Sequence, residues 1–277
     1  MTLSILLSKL HYWEQIQREV QKEIKRQGEA MEILADKAYE GENFRFFLCG
    51  QSPILRLTVI TYLLVTKYEE YKKMGVSEDI IFETFRDVTL RAELYFKKNG
   101  QVGITEEDVI WFRHIMNVEI FKIGSLQFQP FQMLYLENEE LYTIYSADAE
   151  KLVPSGCPVL NCHVQRGVDL SGQSVENSFV KAKAFFKRVK PETTYRVVLC
   201  YSWLLYPQMV QNLSATSNIR RFAEQFQIIG TCKNPEQAME NLFDQGKVNE
   251  SEGPTFLQKL ALEHTELFGF ACGIRLL

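Results

Sequence analysis

The sequence predicts an α+β protein: a helical N-terminal domain over residues 1–118, then a mixed α/β domain over residues 119–277. Three observations predict it. Apolar residues recur at spacings of three, four or seven through the first hundred-odd positions, as one face of a helix requires. Near Glu119 the pattern changes to alternation, with Leu126 and Phe128 opposite Gln127 and Gln129. From Pro158 onward, short β-branched and aromatic runs alternate with amphipathic stretches.

The elements follow in order. Between Trp13 and Tyr39, the residues Ile16, Val20, Ile24, Met31, Leu34 and Ala38 mark one amphipathic helix. Pro53, suited to a first helical turn, opens a second that runs through Tyr71 and ends near Gly75. Ser77 ahead of Glu78 and Asp79 starts a third, carrying Ile80, Ile81, Thr84, Phe85, Val88 and Leu94 and broken by Gly100 and Gly103. Thr105 and Asp108 have capping-box spacing for a short helix with Ile110, Trp111 and Ile115.

In the second half, FKIGSLQFQPFQMLY is a strand pattern, Asn138 to Glu140 a turn, ELYTIYSA a second strand and Pro158 to Gln165 a third. The loop RGVDLSG leads into a helix with Val175, Phe179, Ala182, Phe186 and Val189 on one stripe. The next strand places Tyr195, Val197, Leu199, Tyr201 and Trp203 on one side and Arg196, Val198, Cys200 and Ser202 on the other. A polar loop follows, then a helix capped by Ser217 or Asn218 that carries Ile219, Phe222, Phe226 and Ile229. Strands around Ile228 to Cys232 and in ELFGFACGIRLL close the pattern, with helices near Pro235 to Phe243 and Thr255 to His264 and an exposed loop at Gly246 to Gly253.

Composition narrows the function. An apolar content of 46% with 24% charged residues is that of a soluble globular protein. The net charge of −4 argues against nucleic-acid binding, which wants a basic face. Six cysteines form no CxxC pair and have no histidine at zinc spacing, so no metal is expected and a reducing compartment is. The N-terminus has no basic start or small-residue cleavage site, and the apolar window from Ile54 to Val65 falls short of a membrane span. A cytoplasmic protein without a membrane partner is the expectation.

Two strands end in chemistry. Asn161, His163 and Gln165 share one side of theirs, an arrangement unsuited to a dry core. Tyr201 and Ser202 are candidate proton or hydrogen-bond donors to a carbonyl, while Cys200 sits among Val198 and Leu199 as packing residues do. The loop from Gln165 through Arg166 and Gly167 to Ser171 and Gly172 enters a helix, where free backbone N–H groups favour a phosphate. A plain connector is the competing reading of that loop.

The segment CYSWLLYPQMVQNLSATSNIRRFAEQF resembles the signature of a bacterial family of acyltransferase-domain proteins, at Cys200, Ser202, Trp203, Leu204, Leu205, Pro207, Gln208, Ser217, Asn218 and Ile219, with Tyr201 where the family has histidine. Upstream, His163, Gly167, Leu170, Ser178, Ala182 and Phe186 match, as do Thr84, Asp87, Gly124, Leu126, Gln127 and Phe128. The resemblance implies an N-acyltransferase helical domain followed by a GNAT-like mixed α/β domain with a central, largely antiparallel sheet. It also implies acyl-CoA or acetyl-CoA as donor and a small-molecule amine or hydroxyl acceptor. On that reading His163 is the general base, Tyr201 or Ser202 the donor to the leaving thiolate or carbonyl, and Gln127 orients the acceptor. Gln165, Arg166, Gly167, Ser171 and Gly172 hold the donor, and Trp203, Gln208 and Asn218 complete the substrate contacts. Two other readings stand beside it: a non-catalytic binding module on the same fold, and a hydrolase using Cys200 or Ser202. Oligomeric state is not legible in the sequence.

Overall fold

A computed structural model describes residues 1–135, 144–243 and 253–277. The turn expected at Asn138 to Glu140, the start of the second strand and the loop at Gly246 to Gly253, its final glycine excepted, lie outside the described residues. The chain divides into two compact units, Met1–Phe121 and Lys122–Leu277.

The first unit is helical: α1 (Leu3–Leu10), α2 (Glu14–Gln27), α3 (Ala30–Lys37), α4 (Pro53–Lys73), α5 (Glu78–Asn99) and α6 (Glu106–Met116). The apolar N-terminus is itself α1, capped by the Thr2 hydroxyl, which accepts the Ile5 amide. One helix was expected between Trp13 and Tyr39. There are two, because Gly28 takes φ +53° and turns the chain after Gln27. α4 packs against the other five helices and buries Leu57, Val59, Ile60 and Leu64 among them. The hydroxyls of Thr58 and Thr61 donate to the carbonyls one turn back, so these polar groups tolerate burial.

Thr105 and Asp108 form the expected capping box. The same Asp108 carboxylate reaches Arg91 at 2.8 Å, and Arg91 lies 3.5 Å from buried Asp87, which accepts the Trp111 indole N–H at 2.7 Å. This network ties α5 to α6.

The second unit is built on β1 (Phe121–Ile123), β2 (Leu126–Gln132), β3 (Ile144–Tyr145), α7 (Ala149–Leu152), β4 (Pro158–His163), α8 (Gly172–Val189), β5 (Val197–Ser202), α9 (Pro207–Gln211), α10 (Asn218–Ala223), β6 (Gln227–Cys232), α11 (Glu236–Phe243), α12 (Phe256–Glu263) and β7 (Phe270–Leu276). The strands form one sheet in the order β1-β2-β4-β5-β7-β6-β3. β2 with β4, β5 with β7, β6 with β7 and β3 with β6 are antiparallel, whereas β4 and β5 run parallel. The largely antiparallel sheet of the expected α+β fold is present.

Several boundaries differ. FKIGSLQFQPFQMLY is two strands, because Gly124 and Ser125 turn the chain between β1 and β2. The expected polar loop after β5 holds a 3₁₀ turn at Trp203–Leu205 and then α9, which Pro207 starts. α10 ends at Ala223, so Phe226 lies outside it and Ile229 belongs to β6. Apolar spacing of three and four continues past the helix because both residues bury against the sheet rather than on one helical stripe.

At the turn, Gly124 has φ +66°, and an added Cβ would stand 2.4 Å from the Ser178 hydroxyl. That hydroxyl is held by the Ser125 amide at 2.9 Å and donates to the Ser174 carbonyl at 2.8 Å. The close approach of the turn to α8 therefore requires glycine. Gly124→Ala is expected to lower stability by about 2 kcal/mol in urea unfolding, from combined φ strain and overlap with Ser178.

Candidate active site

Register decides which side chains meet. β4 pairs with β2 so that His163 lies opposite Gln127 and Asn161 opposite Gln129. In the parallel pairing Asn161 sits beside Leu199, which puts Tyr201, two residues on, on the same face. His163, Gln127 and Tyr201 are thus brought to one side of the sheet. Phe128, Cys162, Cys200 and Ser202 point to the other, where the Phe128 ring meets Phe179 of α8 at 5.9 Å.

The β4–β5 ladder is short. It holds at Leu160–Val198 and Asn161–Leu199 and stops, although both strands continue. His163 and Tyr201 each lie two residues past its last pair. They therefore flank the place where the two strands cease to bond one another, at their carboxyl ends. Ligands in open α/β sheets bind outside such ends.

The face is polar at this end. Gln127 is 1% exposed and Gln129 7%, so these carboxamides are built in rather than solvated. The His163 Nε2 lies 3.1 Å from the Gln129 Oε1, which orients the ring. Among the described residues the Asn161 Oδ1 is buried with no hydrogen-bond partner. A buried amide oxygen left unpaired is destabilising by about 1–3 kcal/mol, and a water or a ligand donor would satisfy it. Neither Gln129 nor Asn161 was among the expected site residues. The side-sharing of Asn161 with His163 was the one signal that marked it.

Tyr201 is fastened from beneath. Its hydroxyl bonds the Tyr145 hydroxyl, and the Tyr145 ring meets Tyr135 edge-on at 4.9 Å between centroids. Burial, reinforced by Cys272 and Tyr145, pushes the Tyr201 phenol far above its ordinary range. It is a neutral hydrogen-bond donor at any physiological pH and is unsuited to act as a base. Tyr145 was not anticipated, since its position follows from the β3–β6–β7 pairings and nothing local.

The remaining expected residues divide. Ser202 is 9% exposed on the opposite face, and its hydroxyl accepts the Leu204 amide at 3.1 Å to start the 3₁₀ turn. It does not join His163. Trp203 packs with Tyr206, Met209 and Phe268 in a separate apolar cluster, its amide donating to the Gln237 side chain at 2.9 Å. Gln208 and Asn218 are exposed on α9 and α10. Cys200 is buried, and the neighbouring Cys162 thiol, together with burial, pushes its own thiol well above the usual range. A thiolate nucleophile at Cys200 is disfavoured by both.

Gln165, Arg166, Gly167, Ser171 and Gly172 lie in the connection from β4 to α8 and the first residue of α8. The Arg166 guanidinium donates to the Asn241 carbonyl of α11. The Asp169 carboxylate accepts the Ser171 amide and hydroxyl, each at 2.8 Å, and the Ser174 hydroxyl. These bonds hold its pKa below the ordinary carboxylate range, so a fixed negative charge already sits at the start of α8. No group of three or more histidine, cysteine, aspartate or glutamate side chains able to hold a metal occurs among the described residues, and no helix there is long and apolar enough to cross a membrane.

Comparison with known proteins extends these observations. Residues 120–268 match the model of the GNAT-like C-terminal domain, and residues 1–118 that of the N-acyltransferase N-terminal domain. No curated protein matches the sequence. Among solved structures, the chain is similar to an acyltransferase in complex with decanoyl-CoA and teicoplanin (TM-score 0.75, 19% identity, covering 99% of this chain and 87% of that one). It is similar also to an acyltransferase mutant in complex with octanoyl-CoA, and to an acyltransferase in complex with CoA and 10C-teicoplanin (each TM-score 0.74, 19% identity, 99% and 87% covered). At that identity the likeness is one of fold.

The unpaired Asn161 oxygen has a measurable consequence. Asn161→Leu exchanges it for an apolar group of similar size, and the unliganded variant is expected to gain about 1 kcal/mol, roughly 3 °C in Tm by calorimetry. A lower Tm would mean that the amide stabilises the protein and is not held in reserve for a ligand.

Proposed function

The chain belongs to the family with a GNAT-like C-terminal domain, and on that premise we propose that it transfers an acyl group from acyl-CoA to an amine or hydroxyl of a small molecule. The observation that carries the proposal is the placement of His163 and Tyr201 on one face just past the end of the β4–β5 ladder, with the Asn161 oxygen that has no partner among the described residues. Support comes from the matched domain models and from relatives in fold whose structures hold acyl-CoA or CoA.

In this reading the donor lies where the two strands part, with its thioester between His163 and Tyr201. His163 takes the proton of the acceptor, directly or through a water, as the acceptor attacks the thioester carbon. The carbon–sulfur bond breaks, and the neutral Tyr201 phenol donates a hydrogen bond to the developing oxyanion or to the departing thiolate. The buried Gln127 carboxamide, cross-strand from His163, orients the acceptor. Ser202 has no part in this because strand alternation turns it away. The donor phosphates are assigned to the loop from Gln165 to Gly172 that enters α8, where they would compete with Asp169 for the helix start. The six cysteines are free, which fits a reducing compartment such as the cytoplasm.

One observation favours a second reading, a non-catalytic binding module: the Asp169 carboxylate occupies the helix start that a phosphate would use. Calorimetric titration with CoA and acetyl-CoA separates the readings from a protein with no such site. His163→Ala is then expected to leave CoA affinity within about twofold while lowering the rate of CoA release to a panel of amines and alcohols by ~10²–10⁴-fold. Unchanged turnover in that variant would remove His163 from the chemistry.

A further inference from the structure

Building on the acyl-CoA reading of the same face, the geometry points to a short-chain donor, acetyl- or propionyl-sized, because Tyr201, Tyr145 and Tyr135 fill the apolar side of the site. An acyl chain whose carbonyl carbon lies between His163 and Tyr201 has two directions along the sheet. Toward β2 it meets the side chains of Gln127 and Gln129, already buried, which a polymethylene chain would have to displace. Toward β7 and β3 it meets the tyrosines.

That tyrosine wall is fastened at each step. The Tyr201 hydroxyl bonds the Tyr145 hydroxyl, the Tyr145 ring is edge-on to Tyr135 at 4.9 Å, and the Tyr135 hydroxyl donates to the Val153 carbonyl at 2.7 Å. Behind the rings lie Met133, Ile229 and Cys272, each at most 1% exposed and packed in one cluster. A long chain would have to dislodge rings that are hydrogen-bonded to one another and to the backbone. Among the described residues, these rings stand where a chain as long as the decanoyl or octanoyl group in the similar acyltransferases' complexes would run along this face.

The magnitude makes the inference testable. A buried methylene is worth about 0.8 kcal/mol, roughly fourfold in affinity, so a groove accepting even two extra methylenes raises affinity more than tenfold. Titration calorimetry of the full chain with CoA, acetyl-CoA, octanoyl-CoA and decanoyl-CoA reads this directly. The expected profile is flat or falling, with decanoyl-CoA no more than about threefold tighter than acetyl-CoA. Tyr145→Ala opens the wall and is expected to raise the ratio of decanoyl-CoA to acetyl-CoA affinity at least tenfold, whereas Tyr145→Phe keeps the ring and the flat profile. Wild-type affinity that climbs tenfold or more with chain length overturns the short-chain assignment while leaving the donor reading intact. So does a Tyr145→Ala variant, folded by circular dichroism, whose profile stays flat. Should that variant fail to fold, the wild-type profile alone decides. Failure of CoA itself to bind overturns the donor reading and this inference with it.

Discussion

The second unit depends on one departure from its own pattern, the parallel pairing of β4 with β5 inside a sheet whose other described pairings run antiparallel. A parallel pair cannot be closed by a tight turn, so the chain must cross over, and α8 is that crossover. The crossover places the helix start beside the carboxyl ends of both strands. Because the ladder then stops after Asn161 and Leu199, those ends also carry His163 and Tyr201 at its margin. Remove the parallel pair, and helix start, imidazole and phenol no longer share one end of the sheet.

Strand alternation does the rest. One face at this end is amide, imidazole and phenol, and the other is thiol, small hydroxyl and phenylalanine packed on α8. The two faces are a single residue apart along the chain, yet on one Phe128 packs against Phe179 of α8 and on the other Gln129 holds the His163 imidazole. The polar face is expensive to maintain. Gln127, Gln129 and Asn161 give up hydration, and at Asn161 one buried oxygen recovers no bond within the described protein. Selection for stability alone would have replaced it with a branched aliphatic residue, as at Val159 two positions earlier on the same side.

Much of the fold was legible in the sequence, for identifiable reasons. Pro53, Gly100, and Thr105 with Asp108 act on the backbone within one turn of themselves, so α4, α5 and α6 fall where local rules put them. Gly28 is hidden in the sequence because the apolar period continues across it, and the end of α10 is hidden because Phe226 and Ile229 keep helical spacing while packing on the sheet. The site was legible where it depended on parity. That Asn161 and His163 share a side is a matter of counting, and the same counting sets Ser202 opposite Tyr201, so only one of these two expected donors can share a face with His163. Illegible was whatever depends on register between distant strands: Gln127 against His163, Gln129 on the imidazole, and Tyr145 beneath Tyr201. Those contacts span 34 residues for the imidazole and 56 for the tyrosines, and no local signal encodes them.

The early stop of the β4–β5 ladder has a consequence outside chemistry. Past Asn161 and Leu199, the backbone amides that face across the gap no longer pair with each other, so the sheet carries a pair of edges in its interior. Exposed edges invite pairing with stray chains, and proteins usually blunt outer ones with charge, proline or brevity. Here the protection is positional. Each edge is only two or three residues long and has a bonded strand at its back, β2 behind β4 and β7 behind β5. Such a slot is too short to nucleate aggregation, yet it presents amide groups in strand geometry to anything slender enough to enter it.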